Sequence, residues 1–251
     1  MKLSVAVFTM ALSSLSLPLQ AVAEPVREVR YLGYATEQSS GRYLYTEAHN
    51  HRYQGTRWLG GKIRYLAPDG SLLGEKTLDF SADPYIPVSS YRLINPAYEE
   101  RIVRVDAQGI RMEKLADGKL TRKTLPRVAD QAADSGFNAW LVDRLDQLER
   151  GDTLSMRFAV IGQLDQYRFR VRSMGKTTVA GEPALRLRVE PDSLLRLLVS
   201  PLEVVYGLRS RDLLYYRGVS NILDPATGKA WSVNISYRDK PEGTPTKLPT
   251  P

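Results

Sequence analysis

The sequence contains no cysteine among its 251 residues. Disulfide bonds therefore cannot cross-link the chain, and no lipidated amino-terminal cysteine can anchor it. Hydrophobic residues make up 43% of the sequence, which is an ordinary share for a globular protein. The fold must depend on an apolar core, and the chain is long enough to build one.

Motifs for nucleotide binding and for serine nucleophiles are also missing. The Thr-Gly-Lys stretch at 227–229 lacks the glycine that a phosphate-binding loop places five positions earlier, because Leu223 stands there. The G-x-S-x-G pattern does not occur, and the sequence has only two histidines. The stretch instead predicts a hairpin turn in which Gly228 takes the left-handed conformation.

The first 23 residues have the pattern of a secretory signal peptide. Lys2 precedes an apolar core at Val5–Leu12, and the small residues before Glu24 end in Ala23. We therefore expect export to the periplasm with cleavage after Ala23. No later run approaches the roughly 20 apolar residues of a transmembrane helix, and an exported protein is not expected to meet nucleic acid. The formal net charge of +7 favours anionic lipid or polymer as a partner.

Most of the sequence after the signal peptide alternates with a period of two, as β-strands do. In 166–174, apolar Tyr167, Phe169 and Val171 alternate with arginines, and in 184–191 Leu185, Leu187 and Val189 do the same. Similar runs occur near 27–36, 42–53, 57–67, 71–82, 99–106, 109–117 and 119–125. We predict ten or more strands.

Two segments have helical rather than strand patterns. Residues from about 135 to 149 place Phe137, Trp140 and Leu141 on one stripe, and a short second helix is predicted at about 192–199. Residues 238–251 carry four prolines and few apolar side chains, which predicts a disordered tail. The expected fold is mainly β: a single domain over 24–237, built as a large curved antiparallel sheet or half-open barrel.

Several stretches resemble a family of uncharacterised secreted proteins of Proteobacteria. They are "YLYTEAH", "IRYLAPDGSLLGEKTLDFS", "DSGFNAW", "RLLVSPLEVVYG", "LLYYRGVSNI" and "VNISY". The resemblance spans nearly the whole exported chain and implies a secreted protein, but it implies no catalytic residue. The expected architecture is also similar to the LolA and LolB lipoprotein carriers, whose half-open barrels hold acyl chains in an apolar cavity.

The arginines of two neighbouring strands are the first candidate binding site. Like charges that face each other across strands lower stability, so this face requires an anion. Asp165, Glu182 and Glu190 are candidate internal partners, and the alternative is a phosphate-bearing lipid, a glycolipid or an acidic protein. The helix is expected to cover the apolar stripe as a lid. The predicted ligand-binding residues are Phe137, Trp140, Leu141, Arg168, Arg170, Arg172, Arg186 and Arg188.

The second candidate site contains both histidines of the chain. If 42–53 is one strand, Glu47, His49 and His51 project from the same face, because side chains alternate. Two imidazoles and a carboxylate are ligands that zinc prefers, and a fourth position would remain for water. A metal-dependent hydrolase is therefore the alternative function.

The leading interpretation is a non-catalytic periplasmic protein without a cofactor. It would bind an amphipathic or anionic ligand, such as a lipid, glycolipid or lipoprotein, in maintenance of the cell envelope. A structural protein-interaction module is a further alternative. An outer-membrane barrel also fits the alternation, but the many strand arginines and the proline-rich ending disfavour it.

Overall fold

A single large sheet dominates the computed structural model of the protein, which describes residues 24–192, 201–224 and 227–245. Within these residues the sheet has fifteen strands in the order β8-β7-β6-β5-β4-β3-β2-β1-β15-β14-β13-β12-β11-β10-β9. Their bounds are β1 Val26–Glu37, β2 Tyr43–Gln54, β3 Arg57–Leu66, β4 Leu72–Asp79, β5 Val88–Leu93, β6 Tyr98–Asp106, β7 Gly109–Ala116, β8 Lys119–Leu125, β9 Gln131–Ala133, β10 Leu154–Val160, β11 Asp165–Val179, β12 Glu182–Pro191, β13 Leu202–Gly207, β14 Leu213–Leu223 and β15 Ala230–Ser236. The predicted mainly β fold is confirmed.

The first and last strands of the chain meet in the middle of the sheet. β1 pairs with β15 over four residue pairs, from Tyr34 opposite Ser236 to Glu37 opposite Val233. On its other side β1 pairs with β2 over almost its whole length, from Val26 to Thr36. We call the short β1–β15 ladder the seam, because it joins the amino-terminal half of the sheet to the carboxy-terminal half.

The strand alternation of the sequence matches the observed ladders closely. All neighbouring pairs are antiparallel except β9 and β10, which are parallel. The Thr-Gly-Lys stretch lies in the β14–β15 hairpin, where the Gly228 N–H donates to the Asp224 carbonyl and Gly228 has a φ of +67°. The predicted turn is therefore confirmed.

The predicted main helix is present in two pieces. α1 spans Gly136–Asp143 and α2 spans Leu145–Glu149, separated at Arg144. The second predicted helix, at about 192–199, lies outside the described residues from position 193 onward. Residues 238–245 contain no helix or strand, and the rest of the predicted tail lies outside the described residues.

The helices pack on β11–β13 through the apolar stripe, as the sequence predicts. Trp140 is 1% exposed and Leu141 is fully buried, both in one cluster with sheet residues. The sheet residues of this cluster include Val171, Leu185, Leu187, Val189, Val204 and Tyr206. Burial of such side chains supplies most of the stabilisation that holds a helix on a sheet.

Both faces of the edge strand β9 and of the neighbouring end of β10 are covered. Ala132 and Phe158 face the helix cluster, whereas Ala133 and Ala159 belong to a second cluster with residues of β5–β8. The sheet therefore rolls up until the inner face of β5–β8 lies against this edge, without closing into a barrel. Among the described residues, no helix has the length and apolar character needed to cross a membrane.

Candidate functional site

Strand alternation places arginines on the outer face of β10–β14, opposite the face that the helices cover. Arg157 lies directly across from Arg168, and Arg172 lies directly across from Arg188. We call the outer-face arginines of these strands the arginine face: Arg157, Arg168, Arg170, Arg172, Arg186, Arg188 and Arg217. The face includes all five arginines that the sequence predicts, and the register adds Arg157 and Arg217.

Glu190 is the internal counterion of part of this face. Its carboxylate lies 2.5 Å from Arg170, 3.7 Å from Arg172 and 3.2 Å from Arg188, and the residue is 8% exposed. The hydrogen bond from Arg170 and the charges of all three arginines lower the pKa of Glu190. One carboxylate therefore serves three guanidinium groups.

The other acids that the sequence offered as partners bind elsewhere. Asp165 pairs with Lys123 at 3.4 Å, and Glu182 pairs with Arg238 at 3.6 Å. Among the described residues, alternation places four acids on the outer face, Glu182, Glu190, Asp192 and Glu203, against seven arginines. Within the described residues, no ion pair of 4.0 Å or less is formed by Arg157, Arg168, Arg186 or Arg217.

The three helix residues of the predicted ligand site face inward. Trp140 and Leu141 are covered by the protein, and Phe137 packs its ring against Phe158 at 6.0 Å. The predicted site is thus divided between the two faces of the sheet, because neighbouring residues of a strand point in opposite directions. Ligand contact by these residues stays a prediction, and the arginine face is the accessible part of the site.

A buried hydrogen-bonded chain occupies the inner face of β2. His49 Nε2 lies 3.0 Å from Glu47 Oε2, and His49 Nδ1 lies 3.2 Å from His51 Nε2. The Tyr237 hydroxyl donates to Glu47 Oε2 at 2.9 Å. Glu47 and His49 are 5% exposed and His51 is 2% exposed. We call these four residues the histidine chain.

The geometry of the histidine chain does not fit a three-ligand metal site. Glu47 and His51 lie on opposite nitrogens of the His49 ring, so the three side chains do not converge on one point. In the described parts of the chain, no group of three His, Cys, Asp or Glu side chains is arranged to hold a metal ion. The hydrolase alternative therefore gains no support from the geometry.

Burial controls the chemistry of the histidine chain. Burial, and then the neighbouring His49, hold the pKa of His51 well below its usual value. Burial and the Glu47 carboxylate raise the pKa of Tyr237. The Nδ1 atom of His51 is buried without a hydrogen-bond partner in the described structure.

A second buried polar pair was not visible in the sequence. Lys76 of β4 and Asp134, which precedes α1, form an ion pair of 2.5 Å, and their side chains are 8% and 3% exposed. The two residues are 58 positions apart and neither belongs to a motif. Only the rolling of the sheet brings them together.

Comparisons with known proteins give structural likenesses alone. No protein-family profile and no curated protein matches the sequence. A beta-barrel-like protein of domain of unknown function DUF1849 from Brucella abortus is similar with a TM-score of 0.46 and 7% identity, covering 87% of this chain and 100% of that chain. A DUF1329 family protein from Desulfovibrio piger has a TM-score of 0.27 and 10% identity, covering 86% and 84% of the respective chains. At these values the likenesses carry no argument about function.

Proposed function

We propose that this protein is an exported, non-catalytic binding protein of the cell envelope, and that its arginine face docks on the phosphate-bearing headgroups of an anionic membrane surface. The observation that carries the proposal is the set of four arginines that form no ion pair with any described residue. They share one face with four acids, of which Glu182 and Glu190 are already paired with arginines. Net positive charge on one accessible face attracts anionic surfaces.

The register explains why phosphate suits this face. Arg157 and Arg168 are directly opposed across β10 and β11. Directly opposed side chains of antiparallel strands have Cβ atoms about 4.5–5.5 Å apart, and like charges at that spacing destabilise the sheet. A guanidinium group binds phosphate through two parallel hydrogen bonds, so one phosphate between the pair would remove the repulsion.

A surface contact also agrees with the packing under the helix. Trp140 and Leu141 fill the space against the sheet, so a docking mode that needs no interior cavity is favoured. Each basic side chain near an anionic membrane contributes about 1 kcal/mol of attraction. The four unpaired arginines would together supply about 4 kcal/mol before any specific hydrogen bond forms.

Sedimentation with lipid vesicles tests the docking face. We expect the protein to bind vesicles with 30% phosphatidylglycerol in phosphatidylcholine, and to release them as salt screens the contact. The double variant Arg168→Glu/Arg186→Glu should bind at least about tenfold more weakly, since it reverses two of the four unpaired charges. The matched control is Arg52→Glu/Arg57→Glu, which makes the same charge change at exposed positions around the β2–β3 turn.

Three results would contradict this proposal. The wild-type protein could fail to bind the anionic vesicles, it could bind pure phosphatidylcholine equally well, or the control variant could weaken binding as much as the face variant. Capture of an acidic protein by the face, with no vesicle binding, would assign the face to a protein partner instead.

Export is tested separately by mass. We expect the protein purified from a bacterial periplasmic fraction to begin at Glu24, because the signal peptide is removed after Ala23. Intact-mass spectrometry distinguishes this form from the full-length chain. A full-length mass that retains Lys2 would contradict the expected processing.

A further inference from the structure

The histidine chain lies at the seam, on the inner side of the sheet. Tyr237 is the first residue after β15, and its ring lies over Gly33 of β1. A Cβ atom at Gly33 would stand 2.5 Å from Tyr237 Cε1, so only glycine leaves room for the ring. The Tyr237 hydroxyl then reaches Glu47 of β2. The contact therefore links the end of the carboxy-terminal half to the second strand of the other half.

The donors and acceptors of the histidine chain determine which of its atoms carry protons. An ionised Glu47 accepts from Tyr237, and its second contact requires a proton on His49 Nε2. The Nδ1 of a neutral His49 then has a lone pair, which accepts from a proton on His51 Nε2. In this state every N–H and O–H of the histidine chain has an acceptor, and His51 Nδ1 is the one buried side-chain atom of these four residues without a hydrogen-bond partner in the described structure.

One additional proton on either histidine cannot be accommodated in this closed arrangement. On His51 Nδ1 it would form a buried imidazolium N–H that has no acceptor in the described structure. On His49 Nδ1 it would place two N–H donors 3.2 Å apart, unless His51 moved its own proton to the unpartnered nitrogen. Each placement leaves a buried donor without a partner, which is costly.

Among the residues that the structure describes, the groups around His51 offer it no counterion. The ring of Trp58 from β3 stacks on His51 at 4.7 Å, and Tyr31 from β1 stacks on His49 at 4.4 Å. Asp212 in the β13–β14 turn acts on Tyr31 and Tyr53, but it pairs with Arg238 at 3.0 Å. The remaining charged or titratable neighbours of the chain are Arg27, which lies over the Tyr53 ring, and the neutral tyrosines Tyr45, Tyr65, Tyr206 and Tyr216.

We propose that the histidine chain is a pH-sensitive contact that holds the seam closed, and that uptake of one proton opens the sheet between β1 and β15. Of the two ladders that β1 forms, the seam requires less to open, because it has only four residue pairs. The neighbouring β1–β2 ladder extends from Val26 to Thr36. Separation at the seam would withdraw the Tyr237 ring from Tyr31 and His49, which are the direct neighbours of His51, and would open this side of the histidine chain to water that accepts the additional N–H.

The direction of the pH response follows from the environment of His51. Burial and His49 lower the pKa of His51 in the closed state, whereas an exposed histidine has a pKa of about 6.5. The neutral form therefore contributes stability that is fully present above about pH 6.5 and is lost as the pH falls toward the lowered pKa. Each pH unit below 6.5 favours the open seam by about a further tenfold.

Hydrogen–deuterium exchange of the whole protein tests this proposal. After correction for intrinsic exchange rates, a shift from pH 7.5 to pH 5.5 should reduce protection about tenfold in peptides covering 34–37 and 230–236. Peptides of β6 and β7 serve as the internal control and should change less than twofold. His51→Phe keeps an aromatic ring on Trp58 but cannot take up the proton, so its seam peptides should lose the pH response.

Nuclear magnetic resonance of the wild-type protein tests the proposal without requiring any variant to fold. The sequence has only two histidines, so each imidazole signal can be assigned. We expect His51 to keep the Nε2–H tautomer, with no titration near pH 6.5 in the closed state. The proposal is overturned if His51 titrates near 6.5 while seam protection is intact, if protection falls uniformly across the sheet, if the wild-type seam shows no pH response, or if a folded His51→Phe keeps that response.

Discussion

Replacing Asp134 with asparagine is expected to lower the free energy of unfolding by about 3–5 kcal/mol, because it leaves Lys76 as a buried cation without its counterion. Lys76 is 6% exposed, and Asp134 also accepts hydrogen bonds from the backbone N–H and hydroxyl of Ser135. Burial is the largest influence on the pKa of Lys76 and lowers it, but the charge and hydrogen bond of Asp134, together with smaller contributions from Tyr91 and Glu100, raise that pKa overall. Urea denaturation at neutral pH measures the difference.

The asparagine variant isolates the charge from the backbone geometry. Asp134 has a φ of +48°, and asparagine is among the few residues that adopt this conformation readily. The matched control is the double variant Lys76→Met/Asp134→Asn, which removes both charges and should recover most of the lost stability. A cost below about 1 kcal/mol for Asp134→Asn would show that water reaches the pair.

Replacing Trp140 with alanine is expected to cost about 3–5 kcal/mol, since it removes the largest side chain between α1 and the sheet. The indole ring is 1% exposed, and the Arg144 guanidinium lies 4.3 Å from its centroid. The same measurement bears on the predicted ligand role of Trp140. Because Trp140 is buried in the core, we expect its replacement to change the free energy of unfolding whether or not a ligand is present. Chemical denaturation monitored by circular dichroism gives the free energy.

Trp140→Phe is the control for this prediction. Phenylalanine keeps a six-membered aromatic ring and loses the five-membered part of the indole, including its N–H, which has no hydrogen-bond partner in the described structure. We therefore expect this variant to retain most of the stability that the alanine variant loses. Equal losses in both variants would contradict this expectation and show that the complete indole, rather than an aromatic ring at this position, is required for stability.

Alternation along single strands was enough to predict most of the fold. Phe169 and Val171 face the helices while Arg168 and Arg170 face outward, because the backbone of a strand directs successive side chains to opposite sides. The stripe of Phe137, Trp140 and Leu141 similarly predicts a helix and its packing side. Both patterns are local, so they do not depend on how the sheet rolls.

The candidate sites were harder to predict because they depend on contacts between distant strands. The sequence shows that Glu47, His49 and His51 share a face, but it does not show that Tyr237 and Trp58 cover that face. The aromatic residues at both ends of the histidine run, Tyr45 and Tyr53, were the one signal that this face is buried. Glu190 was correctly considered as an arginine partner, but its contact with three arginines depends on the β11–β12 register.

The seam also determines the order in which the protein can fold. Ala35 faces Ile235, so this ladder joins residues about 200 positions apart, whereas most other strands pair with their neighbours in sequence. Closing so long a loop has a large entropic cost, and sheets rich in distant pairs fold slowly. Each half can form from local hairpins, but the middle of the sheet is completed only after the last strand has been synthesised. A chain that stops before Ala230 would therefore leave β1 and β14 as two unpaired edges at the centre of the protein, where exposed strands promote aggregation.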